Sequence, residues 1–245
     1  MEYDQYWNTV SAVAEPSQWP AWQLLEGYIR EGQLRLEIGA GIRPKLPFSG
    51  TIFLDTSENA ARRLAQRGAL TVVHDAQHPL PFPDENFDLV GAFEVLEHIK
   101  DDVATIRDIK RILKPNGYFI CSVPAHMAYW SPWDEFVGHH RRYDPRALHQ
   151  IFIREGFQVL QLCAFQNIVY WFQRTVMYRV ALRGVVWSAQ QFPSVFSRAV
   201  DDVSFAPVVK LMNLFKKSGL VCWDPSAGDF PDGSVTNLMV VCKKI

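Results

Sequence analysis

The stretch "LRLEIGAGIRPKLP", from Leu34 to Pro47, decides the fold of this chain. An alternating apolar run closes in an acid, Glu37, and a turn follows through Gly39, Ala40 and Gly41. A glycine-rich turn after a first parallel strand lets ligand atoms approach the backbone, because glycine lacks a Cβ and tolerates positive φ. A dinucleotide needs more: its pyrophosphate sits on the amino end of the next helix, which a third small residue brings close. Here that place holds Arg43, followed by Pro44 and Pro47, which delay or abolish the helix. The dinucleotide reading therefore loses its phosphate seat.

Strand and helix signals alternate outward from this stretch. Trp22, Leu24, Leu25, Tyr28 and Ile29 recur at helical spacing between Trp19 and Arg30, with Gly32 as a stop. "TIFLD" is a second strand ending at Asp55. "SENAARRLAQRG" reads as a helix capped by Thr56 or Ser57 and closed by Gly68. "LTVVHD" is a third strand ending in Asp75, and a fourth runs from Phe87 to Ala92. A helix from about Asp101 to Leu113 is stopped by Lys114, Pro115 and Gly117. "YFICSVP", a helix with Asp144 as N-cap and Pro145 at its first position, "FQVLQLC" and a last strand "NLMVVCKK" follow. The alternation predicts an α/β protein: a Rossmann-like, seven-stranded, mostly parallel sheet with helices on both faces. It forms a single domain over residues 1–245, with a core at about 33–163 plus 236–243 and a helical insertion or lid at about 164–234.

Glu37, Asp55 and Asp75 each close a strand at the carboxyl edge, where open α/β sheets bind ligands. Three acids suit a cationic ligand without phosphates. With these residues in place, the sequence resembles the class I S-adenosylmethionine-dependent methyltransferases, in the group related to the ubiquinone and menaquinone biosynthesis enzymes. The resemblance rests on "LEIGAG", "FLD", "HDAQHPLPFPDENFDLV", "FEVLEHI" and "RILKPNGYFICSVP", in that order between Leu34 and Pro124. It implies S-adenosylmethionine as cofactor. Glu37, Gly39, Ala40 and Gly41 would then line its methionine part, and Asp55 with Thr56 would take the ribose hydroxyls. Asp75 and Ala76 would meet the adenine, and Phe93 and Glu94 would cover the amino-acid end. Asp88, at the start of its strand, reads as structural.

Methyl transfer from a sulfonium is an in-line displacement, so the protein chiefly holds two reactants in place and excludes water. The richest polar stretch beyond the cofactor motifs is "SVPAHMAYWSPWDEFVGHHRRYDP", over the proposed cleft. His139 is the candidate base, and Arg142 can grip an acidic acceptor, with Asp134 and Tyr143 beside them. An alternative has Asp134 and Arg142 in a salt bridge that orders the loop, with Tyr143 packed beneath. No metal site is expected, because Asp134, His139 and His140 lack the usual ligand separation. His98 either faces the methyl group or caps the next helix. The "D…GHHRRY" pattern is similar to one in a subgroup of the family associated with glycan or lipid pathways.

The net charge of -1 supplies no global field for nucleic acid, and the Asn/Asp-Pro-Pro-aromatic pattern of base-amino methyltransferases is missing after strand four. Nucleic acid is therefore not expected as a partner. The four cysteines, Cys121, Cys163, Cys222 and Cys242, stand alone and read as small buried core residues in a reducing cytoplasm. The amino terminus carries no secretory pattern, so a cytoplasmic location is expected. Between Ala164 and Leu220, basic residues such as Arg174, Arg179 and Arg183 interleave with Trp171, Phe172, Tyr178 and Trp187. That segment suits a lid, a homodimer face or peripheral membrane contact. The acceptor reads as a small molecule, a glycan or a lipid-linked group. Two rival functions are a non-catalytic partner or scaffold that binds S-adenosylmethionine and, against the missing phosphate seat, an NAD-dependent oxidoreductase.

Overall fold

The computed structural model describes residues 13–165, 220–231, 233 and 235–245. The elements, in chain order, are α1 (Trp22–Glu26), β1 (Arg35–Ile38), β2 (Thr51–Asp55), α2 (Glu58–Ala65), β3 (Leu70–Val73) and β4 (Phe87–Phe93). There follow α3 (Asp102–Ile112), β5 (Leu113–Pro124), α4 (Pro132–Val137), α5 (Pro145–Arg154), β6 (Phe157–Phe165), β7 (Leu220–Trp223) and β8 (Asn237–Lys244). One sheet of eight strands runs in the order β3-β2-β1-β4-β5-β8-β6-β7. β1 to β5 pair in parallel, while β8 is antiparallel to both β5 and β6, and β7 is antiparallel to β6. The α/β, mostly parallel architecture is as expected, with one strand more than the seven read from the sequence. That strand, β7, lies inside the stretch expected to be a helical insertion. Most of the insertion, and with it the expected lid, dimer face and membrane contact, falls outside the described residues. Among the described residues no helix is long and apolar enough to cross a membrane.

The period-two alternation of the strands sorts their side chains onto two faces. Val90 and Ala92 of β4, Phe119, Cys121 and Val123 of β5, and Val240 and Cys242 of β8 point one way, against Ile106, Ile109 and Ile112 of α3 and Leu148 and Phe152 of α5. Leu89, Phe93, Ile120, Met239 and Val241 point the other way, toward Ala21 and Leu25. All four residues of β1 are buried, which is why "RLEI" carries so little exposed polar character for a strand.

Local chemistry sets the element ends. Ser57 accepts from the Ala60 N–H and starts α2, and Asp144 accepts from Arg146 and Ala147 with Pro145 in the first turn of α5. The first helix is shorter than its pattern predicted, because Gly27 stands at its C-cap and helix is not resumed before Gly32. Between β1 and β2 there is no helix at all, in keeping with Arg43, Pro44 and Pro47. Asp88 is structural: it accepts from the Leu34 N–H at 2.9 Å and from Lys114.

The cysteines require a correction. Cys121 and Cys242 are free and buried, but Cys163 and Cys222 form a disulfide. They face each other across the β6–β7 pair, a juxtaposition that no local sequence spacing reveals. Isolated thiols therefore give no argument for a reducing compartment.

Candidate functional site

β1, β2, β4 and β5 end together at one edge of the sheet, in register from Ile38 to Leu54 and Ala92, and from Phe93 to Ser122. Beyond that edge, Gly39 and Gly41 both take positive φ, 69° and 52°. A Cβ at Gly39 would lie 2.6 Å from Cγ2 of Val95, so the turn passes tightly under the segment that follows β4. Ala40 is buried beside it. The turn is held from β2: Asp55 accepts from the Gly41 N–H at 2.8 Å with one oxygen and from the Ser57 N–H at 2.9 Å with the other.

Glu37 does what the absent helix cannot. It is 1% exposed, and its carboxylate accepts from the N–H groups of Lys45 and Leu46, at 2.7 Å for the latter. Those bonds fold residues 43–47 back over the end of β1. Burial pushes the Glu37 carboxyl up to about 7, against the pull of Lys45 and of these two amides.

The other expected cofactor residues are placed less uniformly. Thr56 is exposed at the head of α2. Asp75 lies just past β3 and accepts from the Gln77 N–H at 2.9 Å, and the buried Ala76 follows it. Phe93 is turned into the core, with its ring 5.0 Å from that of Trp19. Glu94 has a left-handed backbone, φ 57°, and its exposed carboxylate accepts from Asn237 Nδ2 at 2.9 Å. The bonds from Gly41 and Ser57 hold the Asp55 carboxylate in place at the end of β2. With Glu37, Asp55, Asp75 and Glu94 along one sheet edge beside a glycine turn, the residues present fit a cationic, phosphate-free nucleoside such as S-adenosylmethionine. A cavity of about 350 Å³ between residues 76–79 and α3 shares only Ala76 with this edge.

The second half of the site is a strap. Residues 139–143 run back over the turn that follows β4. The His140 N–H donates to the Glu97 carbonyl at 2.8 Å. Arg141 donates to Asp102 Oδ1, and the Tyr143 hydroxyl to Asp102 Oδ2, each at 2.6 Å. The Tyr143 N–H reaches the Pro124 carbonyl at 2.9 Å. Burial, and then the bond to Asp102, push the Tyr143 phenol up, so it stays neutral. Asp101, not His98, caps α3, by accepting from the Ala104 N–H. His98 is left facing His139, with the ring centroids 4.6 Å apart. Burial, with His139 as a neighbour, brings His98 down to about 4, so it is a neutral imidazole at pH 7; it also donates a ring N–H to the Gly138 backbone.

Beneath the strap lies a buried charge network. Asp134, fully buried in α4, accepts from the Ser131 N–H and hydroxyl at 2.8 Å, from His139 Nδ1 at 2.8 Å and from Arg142 Nη2 at 2.7 Å. Burial alone would raise its pKa, but His139, Arg142 and Ser131 outweigh it and hold the carboxyl well below the usual range. The Asp134–Arg142 salt bridge and the packed Tyr143 of the alternative reading are both present. Arg142 and Tyr143 are thus held within the loop's own network of contacts.

Glu97 is the residue that sequence reasoning overlooked. It is 0% exposed, and neither carboxylate oxygen has a hydrogen-bond partner among the described residues. Burial, reinforced by Glu94, pushes its carboxyl well above the ordinary range. The available signal was an acid directly before a histidine, following the apolar pair Val95 and Leu96 in "FEVLEHI".

Comparison with known proteins places this arrangement. A family model described as a methyltransferase domain matches residues 24–162, more than half of the chain. The methyltransferase YcgJ of Bacillus subtilis is 35% identical over 97 residues, 38% of this chain and 37% of YcgJ. A demethylmenaquinone methyltransferase of Staphylococcus saprophyticus is 26% identical over 132 residues, 49% of this chain and 56% of that protein. The chain thus spans little more than half, or less, of the curated relatives it matches. Among solved structures, an S-adenosylmethionine-dependent methyltransferase of Thermotoga maritima superposes with a TM-score of 0.58 at 17% identity, covering 91% of this chain and 87% of that one. By matched domain and by fold, the chain belongs to the methyltransferase domain family, with the class I architecture of S-adenosylmethionine-dependent enzymes.

Proposed function

We propose that this chain transfers the methyl group of S-adenosylmethionine to a small-molecule, glycan or lipid-linked acceptor. The observation that carries the reading is the joint between β1 and β2, where Asp55 holds the Gly41 amide at 2.8 Å and so fixes the glycine turn and a hydroxyl acceptor in one rigid unit. The cofactor would bring an electrophilic methyl on a sulfonium. Glu37 and Asp55 would hold the turn and the ribose, Asp75 the adenine side, and Glu94, anchored by Asn237, the amino-acid end. His98 and His139 stand over the same edge, where a neutral imidazole can take a proton from an acceptor.

The curated relative named for demethylmenaquinone supports a small or lipid-like acceptor over a macromolecular one. Calorimetric titration with S-adenosylmethionine, S-adenosylhomocysteine and NAD tests the cofactor. Both adenosyl ligands should bind and NAD should not, and Asp55→Ala should weaken binding while leaving the fold intact. NAD binding, or unchanged affinity in the variant, refutes the assignment.

A further inference from the structure

Glu97, His98 and His139 each bring one ligand atom to within 4.8 Å of the other two. Several features mark this as a built site. His139 points its Nδ1 at Asp134 Oδ1, 2.8 Å away, which leaves Nε2 facing Glu97 Oε1 at 3.8 Å. A metal-binding imidazole is oriented in this way, by a carboxylate or a backbone group on the nitrogen opposite the metal. The His98 ring packs edge-on against the His139 ring, with the centroids 4.6 Å apart, and its ligand atom belongs to the same group of three. Between the two rings lies the Glu97 carboxylate, fully buried, with neither oxygen partnered among the described residues. A buried carboxylate in such a place needs a proton or a cation.

We propose that Glu97, His98 and His139 bind one divalent transition-metal cation of the manganese-to-zinc series at the edge of the methyl-transfer site. Two imidazoles and one carboxylate suit such cations better than magnesium or calcium, which take mainly oxygen ligands. Two donors at about 2.1 Å from a shared cation stand roughly 3 to 4 Å apart, close to the 3.8 Å between His139 and Glu97. A site made from both adjacent histidines of the strap, with Asp134, lacks the usual ligand separation. The fold uses one histidine of that pair and draws the other two ligands from the turn after β4. Three protein ligands leave positions for an acceptor oxygen, whose acidity the cation would raise in place of a free imidazole base. This last role rests on the methyl-transfer reading, whereas cation binding itself does not.

The test uses the full chain, freed of metal by chelator and titrated with Mn²⁺, Zn²⁺ or Mg²⁺ without methyl donor or acceptor. One equivalent of Mn²⁺ or Zn²⁺ should bind, with Mg²⁺ at least tenfold weaker. Glu97→Gln and His139→Ala should each weaken binding by about 100-fold or more, and His140→Ala should leave it unchanged. X-ray absorption of the zinc-loaded wild-type protein should show two imidazoles and no sulfur, a readout that does not depend on any variant folding. No saturable binding would make Glu97 a neutral buried acid and overturn the proposal. Preference for Mg²⁺, or undiminished affinity in both variants, would overturn it as well. Titration with S-adenosylmethionine in parallel separates the two readings, since loss of donor binding beside intact cation binding counts only against methyl transfer.

Discussion

Asp134→Ala removes the centre of the network under the strap, and its cost follows from what remains. Asp134 is fully buried and accepts from Ser131, His139 and Arg142. Without it, the Arg142 guanidinium, whose side chain is 1% exposed, keeps among the described residues only the Ala125 carbonyl at 3.5 Å, and its Nε has no partner among them. Breaking a buried ion pair by removing one partner costs about 3 to 5 kcal/mol, because an uncompensated charge stays behind. Urea denaturation should therefore show a loss of that size for Asp134→Ala. Arg142→Leu combined with Asp134→Ala should recover much of it, since no charge is then stranded. The pH dependence has a definite sign. The folded carboxyl sits below its ordinary value, so the network's stability is present above about pH 4 and is lost as the pH falls further. A loss below about 1 kcal/mol, or single-variant costs that simply add in the double variant, would refute the reasoning.

Three further outcomes follow from other parts of the fold. With Glu37 raised to about 7 from an ordinary 4.5, cofactor-free protein should lose about 3 kcal/mol of stability between pH 4.5 and 7, and Glu37→Gln should flatten that slope. Parallel pH profiles for the two proteins would count against the raised carboxyl. Gly39→Ala forces a Cβ to 2.6 Å from Val95 at a φ of 69°, and should cost about 1 to 3 kcal/mol together with most cofactor affinity; calorimetry and urea melts check both. The Cys163–Cys222 bridge, with a separation of 59 residues, should stabilise the chain by up to about 4 kcal/mol. Thiol titration of the denatured protein should find two free thiols before reduction and four after, and reduction should lower the melting temperature.

Much of this protein is determined by short-range pattern. The order of strands and helices, the caps at Ser57 and Asp144, and the loss of a helix after Gly41 follow from periodicity, capping chemistry and proline, all of which act within a few residues. The glycine turn and the acids at the strand ends are legible for the same reason, because a parallel strand delivers its last residue to the sheet edge whatever lies beside it.

Other features depend on contacts between segments far apart in the chain, and only the tertiary structure decides them. β7 pairs with β6 and brings Cys222 onto Cys163, although both cysteines look solitary in the sequence. Asp102 is an ordinary first-turn acid until Arg141 and Tyr143 dock on it. Glu97 reads as one of two acids in "FEVLEHI", and its character comes from complete burial opposite a histidine about forty residues away. Sequence periodicity sets which face a side chain occupies, but the desolvation and partners that give a buried charge its chemistry come from whatever the fold packs against that face.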